Sequence, residues 1–191
     1  NGNRTAEDKR LSALLTAVEL VRKGCTAAYD MIVEFPAPTA EGLSAVAGAY
    51  DEVGMRAVVA PMMADRTIYT ALPGLLESMP PAMRARAEAM RATPFEESLA
   101  AARAAVAGWP FDRERIRPAV APTIPLHCSD AFLTGCARLS EEFDIPLQTH
   151  LAETRTQALA GRDRYGRSLT EHLDRLGVIG PRFSAAHGVW L

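Results

Sequence analysis

The 191-residue chain is poor in the features that mark several whole classes of protein. Its three cysteines, Cys25, Cys128 and Cys136, show no C-x-x-C spacing, which excludes a disulfide framework and a thiolate zinc site and fits a reducing cytoplasm. Lysine occurs only at Lys9 and Lys23, no Lys/Arg block is present, and the net charge is −2. Nothing here draws the chain to nucleic acid or to an anionic membrane. No apolar run approaches the roughly 18 residues of a membrane helix, and no charged-then-apolar leader opens the chain. No G-x-G-x-x-G follows an expected strand, which removes the main support for a dinucleotide-binding sheet. An initiator Met is also lacking, and the chain stops on Gly188-Val189-Trp190-Leu191. It reads as a fragment of a longer protein.

What is present is ordinary for one globular core, with 48% apolar and 23% charged residues. Thr5 to Lys23 carries Leu11, Leu14, Leu15, Val18 and Val21 at amphipathic spacing, with Gly24 as its terminator. Thr26 to Val33 is apolar on both faces, as in a buried parallel strand, with Asp30 near its end as a buried polar anchor. Pro36 and Pro38 mark a loop. Thr39 then opens a helix with a stripe at Leu43, Val46, Ala47, Tyr50 and Val53, closed by Gly54. Met55 to Pro61 reads as the second strand, and Met62, Met63 and Met79 read as core residues.

A longer excursion over about 62–110 follows, with helices expected at Ile68–Met79, Ala82–Ala92 and Pro94–Ala107. Its length exceeds a simple connection, so it is expected to pack over the substrate rim as a lid or an oligomer contact. Ile116–Pro122 is the third strand, leading into a loop over Thr123–Ser129 and a helix over Asp130–Phe143. Pro146–Leu151 is the fourth strand. A polar, Arg-rich stretch runs to Arg167, a helix covers Leu169–Leu176, and Arg182–Gly188 is the fifth strand. Strand starts at 26, 55, 116, 146 and 182 are separated by 29, 61, 30 and 36 residues, a βα repeat with one enlarged connection. We expect an α/β fold, a parallel (β/α)₈ TIM-type barrel present only in part, about strands 2 to 6, over residues 1–191. A whole barrel needs about 250 residues.

Carboxyl ends of parallel strands are where ligands bind. His150 and His187 end neighbouring strands, and converging neutral imidazoles are a common way to hold zinc or iron. Glu153 follows His150 by three residues, where it either shares that pocket or opens the next helix. Thr123 and His127, with Cys128, lie in a post-strand loop suited to substrate contact or packing. His172 reads as structural, on a helix opposite the rim.

Two segments carry a resemblance. Gln148-Thr149-His150-Leu151-Ala152-Glu153 and Ala185-Ala186-His187-Gly188-Val189-Trp190 resemble the amidohydrolase superfamily. The branch is that of cytosine deaminases, methylthioadenosine and S-adenosylhomocysteine deaminases, and triazine hydrolases. Gly24–Asp30, Gly54-Met55-Arg56, Pro122–Ser129 and Leu173–Gly177 match the same branch in register. The resemblance implies one divalent metal ion, zinc first and iron second, with His150 and His187 at the metal site. It implies that Glu153 protonates a ring nitrogen and that His187 orients or deprotonates the attacking water. It further implies a small heterocyclic substrate, contacted by Thr123 and His127, from which an amine is removed by hydrolysis. A homo-oligomer is compatible with it. The family's first-strand H-x-H and last-strand Asp are missing here, so the isolated chain should be inactive, and Pro122-Thr123 replaces the usual Pro-His of nucleoside deaminases. Rival readings are a superfamily hydrolase of a ring amide or chloro substituent, a carboxypeptidase-like zinc site in which Glu153 is a ligand, and a non-catalytic barrel scaffold.

Overall fold

The computed structural model describes residues 4–34 and 37–191. Of the loop expected at Pro36 and Pro38, Pro36 lies outside the described residues. The strands are β1 (Ala27–Ile32), β2 (Arg56–Met63), β3 (Ile116–Pro118), β4 (Ala121–Pro122), β5 (Leu147–Leu151) and β6 (Phe183–His187). Every pairing among them is parallel. β1 pairs β2 from Ala27↔Arg56 to Ile32↔Pro61, and β2 pairs both β3 and β4. The expected third strand is therefore one strand interrupted at residues 119–120. Val120 bridges to Leu147, and its N–H and carbonyl bond to Pro146 and Gln148, which carries the arc on to β5 and then β6. Neighbours in space are neighbours in sequence.

Side chains alternate across such an arc, and the two faces differ in what they bury. Outward, Ala57, Val59 and Ile116 pack under α1 (Ala6–Arg22) and α2 (Ala40–Val53). Leu147 and Leu151 pack under α6 (Asp130–Phe143), against Phe132, Leu133, Cys136 and Leu139. Each buried leucine contributes roughly 1.5–3 kcal/mol. Inward, the residues are small, with Ala60, Ala119 and Ala121 beside Tyr29, Met31 and Val58. Helix ends form where the local chemistry asks for them. The Thr39 hydroxyl accepts the Gly42 N–H and Ser129 accepts that of Phe132, while Gly54 takes the left-handed conformation (φ 77°) that ends α2.

Several expectations are corrected. On α1, the large residues Leu11, Leu15, Val18 and Val21 are exposed, and the helix docks through the buried Ala13 and Ala17, flanked by the partly buried Leu14 and Leu20. The helix expected over Ile68–Met79 shrinks to α3 (Ile68–Ala71), followed by turns; α4 is Pro81–Ala89 and α5 is Phe95–Ala107. Within the excursion, α5 is no lid: Phe95, Leu99, Ala102 and Val106 join the layer built on α6. The Arg-rich stretch is itself a helix, α7 (Arg155–Tyr165), ahead of α8 (Leu169–Arg175). No helix among the described residues is long and apolar enough to cross a membrane.

Candidate active site

β5 fixes the first functional side chain. His150 sits at its fourth position, half-buried, on the face opposite the core leucines Leu147 and Leu151. Its backbone N–H donates to the Thr123 carbonyl at 2.9 Å, and its ring Nδ1 lies 2.8 Å from that same carbonyl. A carbonyl can only accept, so Nδ1 carries the proton and Nε2 keeps a free lone pair. Thr123 is held in turn by its N–H on Met63 O at 2.8 Å. An imidazole locked at one nitrogen by a backbone carbonyl has the arrangement that orients metal-binding histidines.

β6 brings the second imidazole. By strand alternation His187 would share the outward parity of Phe183 and Ala185. Its φ of +75° breaks that alternation and brings the ring over His150, with centroids 5.5 Å apart and planes 27° from parallel. Ala152, just after β5, also has positive φ, at +50°. Non-glycine residues rarely occupy this region, and such strain collects at functional sites. The two strand ends are laced together, since Gly188 N donates to Leu151 O and both Val189 N and Trp190 N donate to Ala152 O.

Glu153 completes the cluster. Its Oε1 is 3.7 Å from His187 Nε2, and both side chains are partly open to solvent. Its other oxygen accepts from Gln157 Nε2 at 3.2 Å. The rim thus collects His150, His187 and Glu153. Among the described residues no group of three or more His, Cys, Asp or Glu is placed to hold a metal ion.

Thr123 and His127 line a neighbouring cavity of about 720 Å³. Its other walls come mainly from the start of the excursion (Met62, Arg66, Ile68 and Tyr69) and from the link between α4 and α5 (Met90 and Arg91). The excursion therefore borders the carboxyl-end rim, and Met62, expected in the core, is half-buried against this cavity. Burial lowers the pKa of His127, which favours the neutral ring, able both to donate and to accept.

Other candidates lie elsewhere. Asp30 points outward into the helix layer, where the Tyr50 hydroxyl donates to it at 2.9 Å; it is a polar anchor. Cys128 is fully buried and its thiol is pushed well up by burial, which leaves it inert as a nucleophile. His172 is buried and structural, yet it is not opposite the rim: its Nε2 meets Asp130 at the rim-side start of α6 (2.9 Å), and Tyr165 stacks on it. Sequence reasoning missed Gln157, Arg66 and Tyr69, since no periodicity marks them.

The Amidohydrolase family profile matches residues 5–191. The chain is 31% identical over 179 residues to the 5′-deoxyadenosine deaminase of Methanothermobacter thermautotrophicus, covering 94% of this chain and 35% of that protein. It is 30% identical over 185 residues to the 8-oxoguanine deaminase of Pseudomonas aeruginosa, covering 97% of this chain and 39% of that one. Its fold matches a mutant of atrazine chlorohydrolase from Arthrobacter aurescens TC1, complexed with zinc and atraton. The TM-score is 0.79, at 18% identity, over 98% of this chain and 39% of the other. The chain thus spans little more than a third of the length of these proteins. With parallel strands that gather two histidines and a glutamate at one rim, and a family profile that runs nearly end to end, the chain belongs to the amidohydrolase family.

Proposed function

We propose that residues 1–191 are the central part of a (β/α)₈ barrel enzyme that hydrolytically deaminates a nitrogen heterocycle. The observation that carries this reading is the rim cluster: His150 Nδ1 is tied to the Thr123 carbonyl, which leaves Nε2 its lone pair, and the ring stacks on His187, whose Nε2 lies 3.7 Å from Glu153 Oε1. The names of the two relatives, deaminases of 5′-deoxyadenosine and of 8-oxoguanine, support an amine on a fused heterocycle as the leaving group.

The donor set suits a divalent ion, zinc above all, in that it offers imidazole nitrogen at the end of a parallel strand. His150 would hold the ion with His187 alongside, and the described residues require further ligands from the rest of the full-length enzyme. When bound, the ion supplies a water acidic enough to attack near neutral pH. His187 would orient the attacking water. Glu153 would carry one proton of that water to the ring nitrogen and then the second, from the hydroxyl of the adduct, to the departing amine, so that heterocycle and water yield the oxo product and ammonia. The cavity at Thr123 and His127 would receive the body of the substrate, where neutral His127 hydrogen-bonds in either sense. The start of the excursion and the link between α4 and α5 would wall it off as a lid.

The test is ammonia release by the full-length, metal-loaded enzyme from 5′-deoxyadenosine and 8-oxoguanine. Glu153→Gln keeps the shape but cannot shuttle a proton; kcat should fall by about 10² to 10⁴ with metal content, by elemental analysis, at the wild-type level. His150→Ala should lower metal and activity together. Failure to deaminate either compound would sink the reading, and a Glu153→Gln enzyme stripped of metal would make Glu153 a ligand instead.

A further inference from the structure

α7 is the least apolar helix beside the site, and its exposed residues include Arg155, Arg162, Asp163 and Arg164. Against that background Gln157 is buried, with 8% of its surface exposed. Its side chain makes a two-point contact with one residue. Oε1 accepts the Glu153 backbone N–H at 3.1 Å, and Nε2 donates to Glu153 Oε2 at 3.2 Å.

Helix capping alone does not account for this pairing. In a capping box the third helical residue reaches back to the N–H of the cap residue. α1 and α8 do this with carboxylates: Asp8 accepts from Thr5 N and Glu171 from Ser168 N. α7 is capped by Thr154, whose hydroxyl accepts the Gln157 N–H. Yet the Gln157 side chain passes over Thr154 and engages the residue before it. It is also an amide where the other two helices carry acids. An acid could accept the Glu153 N–H but would oppose the Glu153 carboxylate, whereas an amide serves both groups at once.

We propose that Gln157 is a positioning residue for Glu153, holding Oε2 so that Oε1 is the oxygen presented toward His187. The backbone half of the contact supports the chain as it leaves β5 through the left-handed Ala152. The side-chain half sets the carboxylate. This inference rests on the reading of Glu153 as the proton-transfer group.

Two substitutions in the full-length enzyme separate the halves. Gln157→Glu keeps the acceptor for the Glu153 N–H, loses the donor and opposes the carboxylate. Gln157→Met keeps the bulk and loses both. With the faster of 5′-deoxyadenosine and 8-oxoguanine as substrate, each should lower kcat by about 10- to 100-fold, the usual scale for an outer partner, with KM and metal content unchanged. Hydrogen exchange at the Glu153 amide should speed up by about tenfold or more in Gln157→Met and stay slow in Gln157→Glu. In the Glu153→Gln background neither change should lower kcat further, because Gln157 acts only through that carboxylate. A wild-type kcat in Gln157→Glu, or an equal loss in the Glu153→Gln background, overturns the proposal; if Gln157→Met does not fold, Gln157→Glu decides alone. Wild-type turnover in Glu153→Gln, or no ammonia from either substrate, sinks the underlying reading and this one with it.

Discussion

The two ends of the parallel arc share a topology and differ in chemistry. β1 and β2 run together from Ala27↔Arg56 to Ile32↔Pro61, and β5 and β6 from Leu147↔Phe183 to Leu151↔His187. Each end carries a polar residue that a sequence reading singles out. Asp30 falls on the outward parity of β1, with Ala28 and Ile32, and meets Tyr50 of α2. His150 falls on the opposite parity from Leu147 and Leu151, and meets His187. Being a titratable group near the end of a strand is therefore not what makes a site. For these two residues the face on which alternation puts the group decides whether it becomes scaffold or chemistry, while His187 reaches the rim only because its positive φ departs from that alternation.

The sharpest way to break this contrast is at Leu151, the core-facing neighbour of His150 and 1% exposed. Leu151→Ala should destabilise the fold by about 2–5 kcal/mol, read as a lower urea midpoint with an unchanged slope. A loss near zero would mean that β5 is not the packed strand that fixes the rim. The smaller effect is expected at Asp30. Burial pushes its carboxyl above the ordinary value, more than the Tyr50 hydrogen bond pulls it down. The folded state then holds that proton more tightly than the unfolded one. Stability is thus lost as pH rises from the ordinary carboxylate range through the raised folded value. Asp30→Asn keeps an acceptor for Tyr50 and removes the charge. The variant should unfold at higher urea than the wild type at pH 7, with the gap closing as pH falls toward 4, and kcat should not change. A gap independent of pH, or a loss of turnover, would place Asp30 with the rim after all.

Much of the scaffold was legible because burial and hydrogen bonding leave local marks. The Asp130–Phe143 helix was readable to the residue, and α2 from Thr39 and Gly54. α7 was not, since it buries Gln157, Ala160 and Gly161 rather than a stripe. Its signals were the Thr154 cap and the left-handed Gly166 at its end, which are weaker than a hydrophobic period. Gly161 shows what replaces the stripe: a Cβ there would lie 2.6 Å from Leu169 Cγ, so α7 and α8 meet through an absent side chain. α1 misled in the opposite sense. Of its five-residue stripe only Leu14 packs against the core, and the most buried docking residues are alanines. At the site, His150, Glu153 and His187 were legible as residues, and the bond from His150 to Thr123 was not, because it joins the ends of two strands 27 positions apart.

The backbone at Ala152 and His187 has a consequence for anyone re-engineering this protein. A stabilising redesign guided by conformational preference would write glycine at both positions, since each holds a positive φ without one. At position 152 that exchange deletes only a methyl group, although the buried turn toward Glu153 then becomes freer to rearrange. At position 187 it erases the second imidazole of the rim. Local discomfort at these two strand ends is thus a reason to leave them alone, and an optimiser that scores each residue by its own comfort would dismantle the cluster first.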